Sequence, residues 1–279
     1  MEKPTVQGTN SSSLTRRYFE FIGHSCYHAR DTVQSVGAFA LITLGVTLTK
    51  FNVSRPVIWP LIRAQISRAG VKLMPAIMLL GIVLGLAIIG QMVSLLTRVG
   101  AIDFIGQVMN TVVVRELGPL AAALMVLGRV GTATVIELGT KRAQGEVEAL
   151  EALGIDPVHY LVVPRVVGLS LAIFSLTVYL IITVIVSGYL FAFLTDVPIE
   201  PDVYFGQIAQ DLSYRDFVFL ALKTLLFGAI IATVTCFHGL AQPIKLEHVS
   251  RAANQAVSQS VIACLLLDAI FIVVYIVTA

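Results

Sequence analysis

Long apolar segments alternate with short polar ones along most of the chain. Five of them predict membrane-spanning helices, because about 20 residues of α-helix cover the roughly 30 Å of a bilayer's hydrocarbon core. Within the first, Gly81 and Gly85 form a small-xxx-small face that allows close helix contact. Short alternating segments of the membrane β-barrel type are absent, so we predict an all-α integral membrane protein. The predicted spans are residues 73–96, 116–138, 160–194, 214–237 and 253–277.

A short charged segment separates the second span from the third. Residues 140–154 carry apolar side chains at helical spacing with acidic residues between them, and this pattern predicts an amphipathic helix. At about 1.5 Å per residue the helix is too short to cross a bilayer. We expect it at the membrane surface, where it either caps the bundle or docks another protein. Its contact residues would be Lys141, Arg142, Glu146, Val147, Glu148, Leu150 and Glu151.

The N-terminal part of the chain differs from the spans. Residues 1–13 are polar and lack the ordered regions of a signal peptide, so we expect a disordered cytoplasmic tail. Residues 14–70 mix basic residues with short apolar runs and place Trp59 between two prolines, which is typical of interfacial and elbow helices at headgroup level. Residues 71–279 form the predicted transmembrane domain.

Composition agrees with a membrane protein. Only 13% of the residues are charged, about half the usual share of soluble domains, and the mean hydropathy is +0.87. The net charge of +2 comes without a dense basic patch interleaved with aromatic residues, so we expect no nucleic-acid binding. Cys26, Cys236 and Cys264 are scattered without metal-ligand spacing, and we predict neither a metal site nor a disulfide framework.

The positions of Lys and Arg predict the orientation. The loop at residues 195–213 is acidic and contains neither Lys nor Arg, whereas Lys141, Arg142, Lys245 and Arg251 lie between spans on the opposite side. Cytoplasmic loops carry the excess of basic residues. We therefore expect the N-terminus and the amphipathic helix in the cytoplasm and the C-terminus outside.

Three ionisable residues lie at membrane depth. Arg129 is near the middle of the second span, Lys223 in the outer half of the fourth and Asp268 near the middle of the fifth. Each costs free energy there unless it is paired, hydrated or functional. We expect an ion pair in which Asp268 meets either Arg129 or Lys223 and fixes helix register.

Arg115 and Glu116 stand at the outer entrance of the second span. Adjacent helical residues point about 100° apart, so one can face a cavity while the other faces a neighbour. The pair is either an interfacial anchor, with Glu116 favoured by the helix dipole, or the polar lip of an apolar ligand cavity.

Motifs of nucleotide-binding and hydrolytic enzymes are absent, including GxxxxGK[ST], HExxH and GxSxG. We therefore predict no catalytic residues, and any energised work would need an ATP site on another chain. Two alternatives are a stand-alone secondary transporter of a small hydrophobic solute and a non-transporting membrane scaffold. The first is disfavoured because no inverted repeat is visible and because one buried carboxylate does not make a proton relay.

Two blocks of the chain carry a family resemblance: RELGPLAAALMVLGRVG and ELGTKRAQGEVEALEALGIDPVHYLVVPR, with further similarity in ALKTLLFG and SRAANQAV. They resemble the MlaE (YrbE) family, the permease subunits of MCE-associated ABC transporters. The resemblance implies a homodimer in the bacterial inner membrane with five transmembrane helices per subunit and a periplasmic C-terminus. It also implies a cytoplasmic ATPase (MlaF-like) that binds ATP and Mg and grips residues 140–154 as a coupling helix. No cofactor is expected on this chain.

Further partners and a site follow from the same resemblance. An MCE-domain protein (MlaD-like) on the outer face would continue the path of a phospholipid, and a STAS-domain protein (MlaB-like) would bind the ATPase. The lipid cavity is expected at the dimer interface, lined by the first span and the entrance of the second. The lipid-binding residues carried over by motif are Arg115, Glu116 and Leu117, with Gln91, Met92 and Leu95 from the first span.

Overall fold

The computed structural model describes residues 34–47, 55–101, 104–194, 201–240 and 249–278. These ranges are helical, joined by short turns, and contain no strand. The N-terminal tail, Cys26, and the loop that carries Lys245 lie outside the described residues. The helices are α1 (Gln34–Thr47), α2 (Arg55–Ala69), α3 (residues 74–99), α4 (Ile105–Ala143), α5 (Glu146–Ala152), α6 (Val158–Leu194), α7 (Pro201–Asp211), α8 (Tyr214–Leu240) and α9 (Val249–Thr278).

Five helical segments of the described chain are long and apolar enough to cross a membrane. They contain the five predicted spans, so the all-α membrane architecture is confirmed. The first segment runs over Ile58–Leu96 and includes most of α2, which a 3-10 turn at Val71–Leu73 joins to α3. The predicted interfacial placement of residues 14–70 stays a prediction.

The second span begins earlier than the sequence indicates. We predicted a span over residues 116–138, whereas α4 is one helix of 39 residues from Ile105 to Ala143. Two parts of α4, Asn110–Leu117 and Leu127–Gly131, are π-helical. The predicted boundary at Glu116 was wrong because charged residues do not end a helix whose main chain stays hydrogen-bonded.

The helix α6 lies at the centre of the bundle and packs against α2, α3, α4 and α8. Its contact with α3 depends on the predicted small-residue face. A Cβ atom on Gly81 would lie 2.9 Å from Thr183 Cβ, and one on Gly85 would overlap Ser187 Oγ. Ser187 Oγ in turn lies 3.4 Å from the Gly81 carbonyl oxygen, within hydrogen-bonding distance. The prediction of close packing at these glycines is confirmed.

The predicted amphipathic helix over residues 140–154 is wrong in its bounds, because the chain turns at Gln144 and Gly145. Gly145 has φ +77°, a left-handed conformation that favours glycine. Lys141 and Arg142 therefore end α4, and only Glu146–Ala152 form the separate helix α5.

A helix also occupies part of the segment that we predicted as an acidic loop. α7 spans Pro201–Asp211 and packs against the start of α4. Its Tyr204 is fully buried, and this burial raises the pKa of the Tyr204 hydroxyl above its usual value. The prediction of a loop failed here because Tyr204 and Ile208 are buried by packing against neighbouring helices, which the acidic composition of the segment does not reveal.

Candidate functional site

A charged cluster lies where α4, α8 and α9 meet, and the π-helical segment Asn110–Leu117 places two of its members. Arg115 Nε lies 3.0 Å from Asp216 Oδ1. The Arg115 guanidinium also lies 4.0 Å from the centre of the Tyr275 ring, a cation–π geometry. Arg115 thereby ties the outer part of α4 to both α8 and α9.

Lys223 is the centre of the cluster. Its Nζ donates hydrogen bonds to Glu116 Oε2 and to the Arg115 carbonyl oxygen, both at 2.9 Å, and it lies 2.6 Å from Asp268 Oδ1. The first two contacts are hydrogen bonds, and the contact with Asp268 is an ion pair. The predicted ion pair is therefore present, and the partner of Asp268 is Lys223.

Arg129, the other partner considered for Asp268, lies elsewhere. Its side chain is exposed on the π-helical segment Leu127–Gly131, and it forms no ion pair with any residue of the described ranges. It does not share in the pairing that joins α8 and α9.

Two members of the cluster escaped the sequence reasoning. Asp216 Oδ2 accepts hydrogen bonds from the Ser213 main-chain N–H at 3.0 Å and from Asn110 Nδ2 at 3.1 Å. Asn110 Nδ2 also donates to the Asp211 carbonyl oxygen at 2.9 Å. The spacing of Ser213 and Asp216 is that of a helix capping box, and this signal could have located Asp216 but not its contact with Arg115.

The cluster, which carries an unbalanced charge, borders a small cleft. It has three carboxylates, on Glu116, Asp216 and Asp268, and two cations, on Arg115 and Lys223, and all of these except Asp268 line the cleft. The cleft has a volume of about 30 Å³, room for one or two water-sized groups. The remaining lining residues are mostly aromatic or apolar: Phe219, Leu220, Phe271 and Tyr275.

The predicted lipid contacts of the first span lie in a different place. Gln91, Met92 and Leu95 line a groove of about 970 Å³ beside α3, together with Arg98 and Phe191. The groove is large enough for acyl chains, whereas the cleft is not. Leu117 is half-buried and lines neither cavity. Of the six predicted lipid-binding residues, Gln91, Met92 and Leu95 therefore line the groove, Arg115 and Glu116 line the cleft, and Leu117 lines neither.

Two ion pairs join residues of the predicted docking surface. Lys141 Nζ lies 3.9 Å from Glu146 Oε2, and Arg142 Nε lies 3.8 Å from Glu148 Oε1, so both pairs span the turn at Gly145. Leu150 is half-buried and Glu151 is exposed on the same short helix.

Apolar packing holds α5 against the ends of the spans. Val147 is buried in a cluster that contains Leu138, Leu161 and Leu240. Val147 of α5 therefore shares an apolar cluster with residues of α4, α6 and α8.

A second ion-pair network, which the sequence did not reveal, lies near this surface. Glu137 of α4 contacts Arg68 of α2 at 2.6 Å and Arg165 of α6 at 2.8 Å through its two carboxylate oxygens. Arg165 Nη1 also donates to the Leu161 carbonyl oxygen at 2.7 Å. Glu137 thus joins three helices one turn before the docking surface begins.

Comparison with known proteins identifies similar sequences. A family model described as "Permease MlaE" matches residues 62–274. A probable ABC transporter permease protein of Rickettsia typhi is 29% identical over 239 residues, covering 86% of this chain and 91% of that protein. A probable ABC transporter permease protein of Synechocystis is 35% identical over 169 residues, 59% of this chain and 62% of the relative.

A chloroplast protein of Arabidopsis thaliana, TRIGALACTOSYLDIACYLGLYCEROL 1, is 30% identical over 212 residues. The match covers 73% of this chain but only 58% of the plant protein. The similarity therefore reaches a protein whose name contains that of a galactolipid.

Proposed function

Because the chain belongs to the MlaE permease family, we propose that it moves phospholipid, or a similar hydrophobic molecule, between the bacterial inner membrane and a periplasmic MCE-domain partner (MlaD-like). The chain is a multi-pass membrane permease of the ABC transporter class. The observation that carries the lipid proposal is the groove of about 970 Å³ beside α3. The name of the plant relative supports a lipid cargo.

The groove and the cleft suit different parts of a lipid. Met92, Leu95 and Phe191 offer apolar surface for acyl chains, and Gln91 and Arg98 add polar groups. Arg115 and Glu116 would hold the headgroup, and Leu117 would add apolar lining beside them. In this proposal a second copy of the chain completes one cavity at a homodimer interface, which brings groove and cleft together.

Energy for directed movement has to come from a partner. Acyl chains exchange bilayer for an apolar cavity at little net hydrophobic free energy, so binding alone gives no direction. A cytoplasmic ATPase (MlaF-like), with ATP and Mg and a STAS-domain partner (MlaB-like), would dock on α5. Closure of the ATPase dimer would press on α5 and shift the permease between open and closed states.

The first test is purification of the full chain, co-expressed with its ATPase, followed by mass spectrometry of the proteins and lipids that stay bound. We expect a stable complex of two permease and two ATPase chains that carries phospholipid. Glu116→Ala should reduce the bound lipid without dissociating the ATPase. Unchanged lipid content in this variant would show that the cluster does not bind the lipid.

The same purification separates the alternatives. A stand-alone secondary transporter predicts a lipid-free chain that moves solute in vesicles with an ion gradient and no ATP. A non-transporting scaffold predicts that Arg115 and Glu116 tolerate replacement as long as the fold survives.

A further inference from the structure

The charged cluster carries one carboxylate more than it has cations, and Glu116, its most exposed carboxylate, lines the cleft. We propose that the cleft recognises phospholipids whose headgroup carries a primary ammonium. The inference rests on the proposed function and names its substrate class. It predicts that the permease discriminates between headgroups and does not only bind acyl chains.

The hydrogen bonds of the cluster identify the carboxylate that is available. Lys223 Nζ already lies within 2.9 Å of the Arg115 carbonyl oxygen, Glu116 Oε2 and Asp268 Oδ1. Asp216 forms an ion pair with Arg115 through one oxygen and accepts main-chain and amide hydrogen bonds on the other, and its side chain is only 1% exposed. The Asp268 side chain is 11% exposed, whereas that of Glu116 is 35% exposed. Glu116 is therefore the acceptor that a ligand can reach.

The surroundings of Glu116 favour a cation over another kind of ligand group. A cluster with a net negative charge inside a membrane-spanning bundle is stabilised by one more positive charge. The rings of Phe219 and Phe271 line the same cleft, and aromatic rings attract ammonium groups through their π faces. The Glu116 carboxylate beside these aromatic rings therefore favours an ammonium group as its ligand.

The volume of the cleft restricts which ammonium fits. A cavity of about 30 Å³ accommodates one or two water-sized groups. A primary ammonium is close to water in size and donates hydrogen bonds to a carboxylate, whereas a trimethylammonium is several times larger and donates none. The cleft therefore favours an ethanolamine headgroup over a choline headgroup.

Arg115 completes the match to such a headgroup. Its side chain is 22% exposed and lines the same cleft as Glu116, so the cleft presents both a positive and a negative group. The headgroup of an ethanolamine phospholipid presents the complementary pair, a phosphate next to an ammonium. Arginine is well suited to phosphate oxygens because its guanidinium offers several N–H donors in one plane.

The test uses the full chain purified with its ATPase and exchanged against mixed vesicles. The vesicles contain equal amounts of phosphatidylethanolamine, phosphatidylcholine and phosphatidylglycerol with identical acyl chains, and native mass spectrometry measures the lipids retained. We expect about tenfold enrichment of the ethanolamine lipid over the glycerol lipid, the effect of one charged hydrogen bond, with the choline lipid between them.

Two variants assign the preference to the cluster. Glu116→Gln should bring the ethanolamine-to-glycerol ratio to about twofold or less, because the amide loses the charge, while acyl-chain binding in the groove persists. Asp202→Asn, an exposed acid-to-amide change in α7, should keep the wild-type ratio.

The outcomes separate this inference from the proposed function. Retention of all three lipids in the vesicle proportions by the wild-type protein would overturn the headgroup inference and leave lipid transport standing. Enrichment that survives in Glu116→Gln would also overturn it. Absence of any retained phospholipid would overturn the proposed function itself.

Discussion

Replacing Lys223 by Met tests whether the buried charges hold α4, α8 and α9 together. The Lys223 side chain is 4% exposed and its Nζ contacts carboxylates on two other helices. Methionine nearly preserves the volume but leaves Asp268 buried without its cation. Removing one partner of a buried ion pair costs about 3–5 kcal/mol, because the remaining charge is uncompensated.

That free energy translates into a measurable loss of thermal stability. A change of 1 kcal/mol shifts the melting temperature by roughly 2–4 °C for a chain of 150–250 residues. We therefore expect Lys223→Met to lower the melting temperature in detergent by roughly 6–20 °C, read from the fluorescence of a thiol-reactive dye that labels cysteines exposed on unfolding. The control variant Lys72→Met removes an exposed lysine. It should shift the melting temperature by less than about 2 °C, since a substitution at an exposed position rarely changes the free energy of unfolding by more than about 0.5 kcal/mol.

A double variant distinguishes loss of the ion pair from loss of packing as the cause of the lower stability. Adding Asp268→Leu to Lys223→Met removes the orphaned carboxylate, and at least half of the lost stability should return, because neutral replacement of both partners of a buried pair is often tolerated. Glu116 retains partial solvation and adds little. A double variant no more stable than Lys223→Met alone would refute the reasoning.

Three further predictions concern other parts of the bundle. Glu148→Lys on the exposed side of α5 should reduce co-purification of the ATPase, and undiminished recovery would remove α5 from that interface. Glu137→Gln should weaken the contacts of residue 137 with Arg68 and Arg165 and destabilise the protein by about 1–3 kcal/mol, measured by the same thermal assay. An unchanged melting temperature would contradict this prediction. Gly85→Val should prevent α3 from packing on α6 and abolish the monodisperse peak in size-exclusion chromatography. The control Gly128→Ala should be tolerated, because a Cβ atom at this position meets open space. Equal yields of the two variants would contradict the packing argument.

The sequence by itself determined the class of the protein and the number of spans. Both follow from the length of the apolar segments, because a helix in a bilayer must satisfy its own main chain over about 20 residues. The close approach at Gly81 and Gly85 was also readable, since small residues act locally on helix spacing.

Element boundaries were less readable. The continuous course of α4 through Glu116, the turn at Gly145 and the helix α7 depend on contacts with neighbouring helices that no local pattern contains. Tyr204, for example, is buried by its packing within the bundle and not by its own sequence context.

Only the tertiary structure decided the chemistry of the cluster. Which cation meets Asp268 depends on the rotation and depth of α4, α8 and α9 relative to one another, and hydropathy does not encode either quantity. The contacts of the cluster between α4 and α8 join residues more than 100 positions apart, as Lys223 and Glu116 are. Burial then makes the pairing selective, because a charge at membrane depth is stable only beside a partner placed within hydrogen-bonding distance.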